Sequence, residues 1–244
     1  MTFSKEWEAQ FAAGSHFSHY PWSDLVALVM RHANPKKYDH KVKVLELGPG
    51  VGANIPFFLD KGFEYHAIEG SETAVKYMKN KFGNNIEVIA GDFTSLIPYE
   101  ESTFDLIIDR GAITCNRIYG IKKVIEKSAS ILNNGGMYIG IDWYSTLHPY
   151  SKYGVEVEPN TRVDIPIGTF KNAGTVHFFT EDELCSLFYK DFDIMYLEHK
   201  TYSTIIPDRE SGWASYNVVA KGKKRAIVEF ASLNQPYNAI TLQD

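Results

Sequence analysis

The chain reads as one α/β domain, a doubly wound and mainly parallel sheet with helices on both faces. Three observations predict this. Short apolar runs alternate with amphipathic segments long enough to cross back over a sheet, from residue 43 to residue 143. The first run ends in a glycine-rich turn, "VLELGPGVGAN" (44–54), the usual place for a ligand to approach the backbone closely. The 244 residues hold no internal repeat and no low-complexity linker, so 1–244 is expected to be one unit with a sizeable core.

The elements follow in order. Residues 4–13 and 23–33 read as helices, the second behind "PWSD" with Ser23 as its N-cap. "KVKVLEL" is a strand, continuously apolar at its end apart from Glu46. "VGANIPFFLDKG" is a short helix closed by Gly62, and "FEYHAIE" a second strand. "SETAVKYMKNKFG" is an amphipathic helix with Ser71 at its cap, Glu72 in its first turn and Gly83 past its end. "NIEVIAGD" and "FDLIIDR" are the third and fourth strands. A helix over 118–132 is expected to stop at "NNGG", before a fifth strand, "MYIGIDW".

Beyond residue 143 the rhythm changes. Residues 144–178 carry several Pro and Gly with little periodicity and read as an irregular insertion. "TEDELCSLF" opens a helix with a capping box, Thr180 and Glu183. "DFDIMYLEHKTY" and "WASYNVVAKGK" are strands about ten residues apart, too close for a helical crossover, so an antiparallel pairing is expected at one sheet edge.

Composition limits the function. Apolar content of 44% and charged content of 23% are those of a soluble globular protein. A net charge of -5 gives no support for a nucleic-acid or membrane partner. The basic run "KGKKR" (221–225) reads as a solvated strand end. No apolar stretch reaches membrane-span length, and the polar, acidic start is not a secretory signal. Cys115 and Cys185 lie far apart without metal-type spacing and suit a reducing cytoplasm. A small-molecule partner is expected, with monomer and homodimer both open.

The glycines leave two ligands to weigh. No Lys follows them, which argues against a P-loop. Gly48, Gly50 and Ala53 satisfy a dinucleotide pattern, with Glu69 near the ribose-acid position. Against this, Glu46 precedes the glycines inside the strand. A carboxylate there repels a pyrophosphate and attracts a sulfonium or ammonium. Asp92, ending the third strand in "AGDF", offers an acceptor to an exocyclic amine such as that of adenine.

At this point the sequence resembles the class I S-adenosylmethionine-dependent methyltransferases. The matching stretches are "VLELGPGVG", "AIEGS", "IAGDF", "FDLIIDRGAI", "LNNGGMYIG" and "FTEDEL", in family order over about 42–190, with "YNVVAKGK" as the last strand. The resemblance implies a seven-stranded sheet, six strands parallel and one antiparallel. It implies a transferase that uses S-adenosyl-L-methionine, releases S-adenosyl-L-homocysteine and needs no metal. Gly48, Gly50 and Gly52 would then lie under the methionine part and Glu69 would hold both ribose hydroxyls, beside Gly70 and Ser71. Asp92 would meet adenine N6 with Phe93 on the purine face, and Asp109 and Arg110 would stand beside the reacting methyl. Arg110 could meet the cofactor carboxylate or an anionic substrate group. No Asn/Asp-Pro-Pro-Tyr run is present, which lowers the odds of a DNA target.

Methyl transfer is an in-line displacement, and a base is needed only for a protonated nucleophile. Three residues are candidates: Asp142 at the end of the fifth strand, His148 just after it and His19 in the N-terminal segment. Each has a structural alternative, as a turn cap, a loop residue before Pro149 and a packing residue. The acceptor is expected between an N-terminal helical lid, residues 1–40, and the insertion 144–178. The lid offers Phe17, Tyr20 and Trp22; the insertion side offers Trp143, Tyr144, Tyr150, Tyr153 and Phe170. Tyr20, Trp22, Trp143 and Tyr144 are the residues expected on the substrate. The alternatives are a non-catalytic binding module that keeps the cofactor pocket, and a nicotinamide oxidoreductase.

Overall fold

The computed structural model describes residues 5–206 and 212–223, so Lys224 and Arg225 of the basic run lie outside the described residues. Along the chain come α1 (Lys5–Ala12), α2 (Ser23–His32), β1 (Lys43–Leu47), α3 (Ile55–Asp60), β2 (Glu64–Glu69), α4 (Glu72–Phe82), β3 (Ile86–Ala90), β4 (Phe104–Arg110), α5 (Ile118–Ile131) and β5 (Leu132–Tyr144). Then follow β6 (Val155–Glu158), β7 (Thr161–Val163), β8 (Val176–His177), α6 (Glu181–Phe188), β9 (Phe192–Ser203) and β10 (Gly212–Gly222).

The main sheet has the order β3-β2-β1-β4-β5-β10-β9. The pairs β1–β2, β1–β4, β2–β3 and β4–β5 are parallel, whereas β10 runs antiparallel to both β5 and β9. Six strands therefore share a direction and β10 opposes them. The hairpin expected from loop length is there, but its antiparallel strand lies inside the sheet and β9 forms the edge. The chain leaves β1 toward β2 on one side and returns to β4 on the other. That reversal opens a crevice at the C-terminal tips of β1 and β4.

The two-residue period of the strands decides what each face buries. Val44 and Tyr65 pack with Leu25, Val29, Phe58 and Met78 beneath α2, α3 and α4. Leu45, Leu47 and Tyr138 pack with Ile121, Ile125 and Phe188 beneath α5 and α6. Each large side chain fully buried in this way is worth about 1.5–3 kcal/mol.

Four local expectations need correction. Ser23 lies inside α2; Trp22 occupies the cap position without a side-chain bond, and Ser23 Oγ turns to Asp24 Oδ1 at 3.3 Å. "NNGG" belongs to β5, because Leu132 already pairs with Phe104. The capping box of α6 is half formed: Thr180 Oγ1 accepts from Glu183 N at 3.2 Å, while the Glu183 carboxylate goes to His177. The insertion is also built: β6, β7 and β8 make a small antiparallel sheet over a cluster of Ile165, Phe170, Val176 and Phe178. Its short strands are too brief to show a period in sequence.

Candidate functional site

The crevice opens into a cavity of about 750 Å³, within the size range of small-molecule sites. Its floor is the glycine turn. Gly48 has φ +65°, and a methyl there would stand 2.4 Å from Ala112 Cβ. Gly50 has φ +58°, and a methyl there would meet the Phe11 ring at 3.2 Å. Both positions need a residue without a side chain, in the left-handed region and under close cover.

Glu69 ends β2 beside this turn. Its Oε2 accepts from Gly50 N and its Oε1 from Ser71 N, both at 2.8 Å. Burial raises its pKa from the ordinary 4.5 to about 7. The carboxylate thus ties the β2 tip to the glycine turn and to α4, and keeps further lone pairs for a ligand. Gly70 also lines the cavity.

Glu46 lines the cavity but is not a bare anion. Its Oε1 accepts from Asn54 Nδ2 at 2.8 Å and its Oε2 from the Tyr65 hydroxyl at 2.6 Å. Burial raises its pKa. These two donors, which neither spacing nor pattern announces, hold the Glu46 carboxylate in place.

Asp109 points to the other face of the sheet. Its Oδ1 accepts from Ile113 N at 2.9 Å and its Oδ2 from Trp143 Nε1 at 2.7 Å. Burial raises its pKa to about 7. Trp143 is fully buried and stacks on Phe179 with ring centroids 5.0 Å apart. Neither residue lines the cavity. Strand alternation explains this: Asp109 and Arg110 are neighbours, so only Arg110 turns toward the crevice.

Arg110 begins a chain of opposite charges. Its guanidinium lies over the Trp22 ring at 3.4 Å, and Nη2 donates to Asp142 Oδ2 at 2.8 Å. Lys200 donates to Asp142 Oδ1 at 2.8 Å and to Asp24 Oδ2, and the Lys200 bond holds Asp24 below the usual carboxylate range. Asp142 sits in a bulge of β5, where three residues span what two span on β10. It has φ +54°, held by its N–H donating to Asn217 Oδ1 at 3.0 Å. Where the sequence offers Asp142 as a general base, the structure places its carboxylate between two cations, as the hub of this charge chain.

The roof comes from distant parts of the chain. Trp7 and Phe11 of α1, residues 15–18, Trp22, and Thr169 and Phe170 of the insertion line the cavity. Glu8 latches α1 to the start of α4, accepting from Ser71 Oγ and Thr73 Oγ1, both at 2.5 Å. The Ser71 bond, with that from Thr73, lowers the Glu8 pKa. Gln10 Nε2 donates to Asn172 O at 2.7 Å and joins α1 to the insertion.

Several predicted residues lie off the cavity wall. Ser71 caps α4, accepting from Ala74 N at 3.1 Å. Gly52 has φ +81° and is packed under Ile55 and Met78. Asp92 Oδ1 accepts from Thr94 N and Oγ1, and Oδ2 from Ser95 Oγ, which folds the turn that brings Phe93 to the wall. His148 is buried among Tyr150, Phe170 and Trp213; its Nδ1 accepts from Tyr150 N, and burial lowers its pKa to about 4. His19 is exposed and Tyr20 is 84% exposed. Trp22 and Tyr144 do line the cavity.

Sequence reasoning missed Trp7, Phe11, His16, Asp24, Cys115, Lys200 and Trp213, all on the wall. His16 Nδ1 donates to Ser15 O at 3.2 Å. Its neighbour His19 carries the same sequence signal, so no pattern separates them. Lys200 lies in an edge strand where a lysine is unremarkable.

Residues 44–136 match a family model described as a methyltransferase domain. No curated protein matches the chain. Among solved structures, a SAM-dependent methyltransferase of Methanosarcina mazei is similar with a TM-score of 0.65 at 15% identity, covering 86% of this chain and 100% of its own. The 1,6-didemethyltoxoflavin-N1-methyltransferase of Burkholderia thailandensis, with bound 1,6-didemethyltoxoflavin and S-adenosylhomocysteine, gives 0.65 at 15%, covering 90% and 87%. A protein of Pyrococcus horikoshii OT3 gives 0.62 at 20%, covering 85% and 95%. The chain has the class I S-adenosylmethionine-dependent methyltransferase fold.

Proposed function

We propose that the protein transfers a methyl group from S-adenosylmethionine to oxygen or nitrogen of a small molecule. The observation that carries this reading is the joining of Glu69 to the Gly48–Gly50 turn on the floor of one roofed cavity. The residues present fit the cofactor. The Gly48–Gly50 turn lines the cavity floor with backbone alone, and Glu69 has lone pairs for two ribose hydroxyls. Phe93 offers a ring to the purine, while Asp92 enters only as the residue that shapes its turn. Arg110 Nε is buried without a hydrogen-bond partner, a donor suited to a carboxylate.

Bound there, the cofactor supplies an activated sulfonium methyl. The protein's own tasks are then alignment and exclusion of water. The roof of α1, residues 15–18 and the insertion covers the reacting groups. Where the acceptor nucleophile is a hydroxyl, His16 on the cavity wall is the proposed base. Cys115 is unsuited to that task, since burial raises its thiol to about 12.

Calorimetric titration with S-adenosylmethionine, S-adenosylhomocysteine and NADH tests the reading. The first two are expected to bind and NADH not to. No binding of either at millimolar ligand would refute it, and NADH binding alone would favour the oxidoreductase. The neighbour with bound 1,6-didemethyltoxoflavin lends support to a small-molecule acceptor.

A further inference from the structure

We propose that the methyl acceptor is a flat, uncharged aromatic molecule, lodged against Trp7, Tyr144 and Phe170. The inference rests on the methyl-transfer reading of the same cavity and names its substrate class. Two properties of the wall carry it.

The first is shape. Trp7 packs against the insertion cluster that holds Phe170, with Tyr144 beside it. The Tyr144 and Phe170 rings lie 4.6 Å apart at 63°, and Trp213 lies 5.5 Å from Tyr144 at 82°. His16 lies 5.1 Å from Trp7. All five rings line the cavity. Their sequence positions span residues 7 to 213, so the chain gathers them from the lid, β5, the insertion and β10. Rings in edge and tilted arrangements present planar faces to a planar guest, which gains from stacking as well as from burial.

The second is charge. The charged side chains on the wall are answered within the protein. Arg110 and Lys200 balance Asp142 and Asp24, Glu46 is held by Asn54 and Tyr65, and Glu69 by two backbone N–H groups. The unpartnered Nε donor of Arg110 is assigned above to the cofactor. An ionic acceptor would lose its hydration and find no counter-charge. The polar groups left near the rings are neutral. Burial keeps the Tyr144 hydroxyl protonated, so it stays a donor. Asn116 Nδ2 is committed to Ala112 O and Ile113 O, which leaves Oδ1 as an acceptor.

The test uses three probes of one size: 2-naphthol (flat and neutral), 2-naphthoate (flat and anionic) and decahydro-2-naphthol (neutral and not flat). Binding to the full chain saturated with S-adenosylhomocysteine is read by tryptophan fluorescence. 2-Naphthol is expected to bind about tenfold more tightly than either of the others. Phe170→Leu and Thr169→Trp, which fills the chamber from an exposed position, should each weaken 2-naphthol about fivefold or more. S-adenosylhomocysteine affinity is measured alongside, so that the loss of 2-naphthol is read relative to it, and Thr169→Trp keeps the test valid if Phe170→Leu fails to fold. Equal or tighter binding of either other probe overturns the proposal. So does unchanged 2-naphthol affinity in Thr169→Trp, or no probe binding while S-adenosylhomocysteine binds. If S-adenosylhomocysteine itself fails to bind, the methyl-transfer reading falls first.

Discussion

The floor and the roof of the cavity are held by different means. The floor is made of residues close in sequence, Gly48 to Gly70, whose backbone is locked by ladder bonds and by the Glu69 carboxylate. The roof is gathered from α1, residues 15–24 and the insertion, and α1 is latched by side chains at Glu8 and Gln10. Core strands open only with the whole fold, whereas an element held by a few surface contacts opens alone. The difference suits a site that must admit and release ligands past a rigid cradle.

The largest effect is expected on the floor. Gly48→Ala places a methyl 2.4 Å from Ala112 Cβ at φ +65°. Left-handed strain and overpacking together should cost about 3 kcal/mol of stability, and cofactor binding should vanish. Urea unfolding and calorimetry measure both. A variant with wild-type stability and affinity would break the idea of a rigid cradle.

Glu69→Ala leaves the Gly50 and Ser71 N–H groups unpaired and removes the proposed ribose contacts. S-adenosylhomocysteine affinity should fall by about 2–3 kcal/mol, roughly fiftyfold. The same residue sets a pH dependence. Burial raises Glu69 from 4.5 to about 7 and Asp109 from 3.8 to about 7, so the folded chain holds these protons more tightly than the unfolded one. Their contribution to stability therefore falls as pH rises from about 4 to 7 and is flat above. Binding runs the other way, because the ionised carboxylate is the better acceptor for ribose hydroxyls. Affinity should rise between about pH 6 and 8, and Glu69→Gln should flatten that rise.

Lys200→Met leaves Asp24 and Asp142 without their shared cation. The pair is partly exposed, so the loss should be about 1–2 kcal/mol. Thermal unfolding of Lys200→Met, Asp142→Asn and the double variant measures the coupling; strict additivity would dissolve the charge chain into separate contacts.

The smallest effect is expected at the latch. Glu8→Ala should cost about 1 kcal/mol of lid docking and about fivefold in cofactor affinity. Hydrogen exchange should quicken in residues 5–12 and stay unchanged in β1 and β4. Equal loosening of both regions would erase the contrast between floor and roof.

Much of the fold was legible, because period and punctuation are local. The alternating strands, the Ser71 cap and the left-handed Gly62 all sit where the pattern puts them. The antiparallel last strand followed from loop length, though its place inside the sheet did not. The site was legible in part. Glu46, Glu69, Arg110, Trp22 and Tyr144 meet on one cavity with the glycine turn, whereas Asp109 and Trp143 face the other layer. His148 and His19 shared a residue type with His16 but not a location, and residue type was the only signal available.

The amino-acid order alone determined the rigid half of the molecule: glycines where no Cβ fits, and a carboxylate at the β2 tip, within reach of the turn. Only the tertiary structure decided the rest. One extra residue in β5 shifts the side-chain parity after Ile141, so Asp142 turns toward Arg110 and Lys200 while Trp143 drops into the core. A bulge is a property of two strands in register and has no signature in either one. The roof likewise exists only once residues 7, 16, 144, 170 and 213 are brought together, because contacts across such separations are fixed by packing and not by neighbouring sequence.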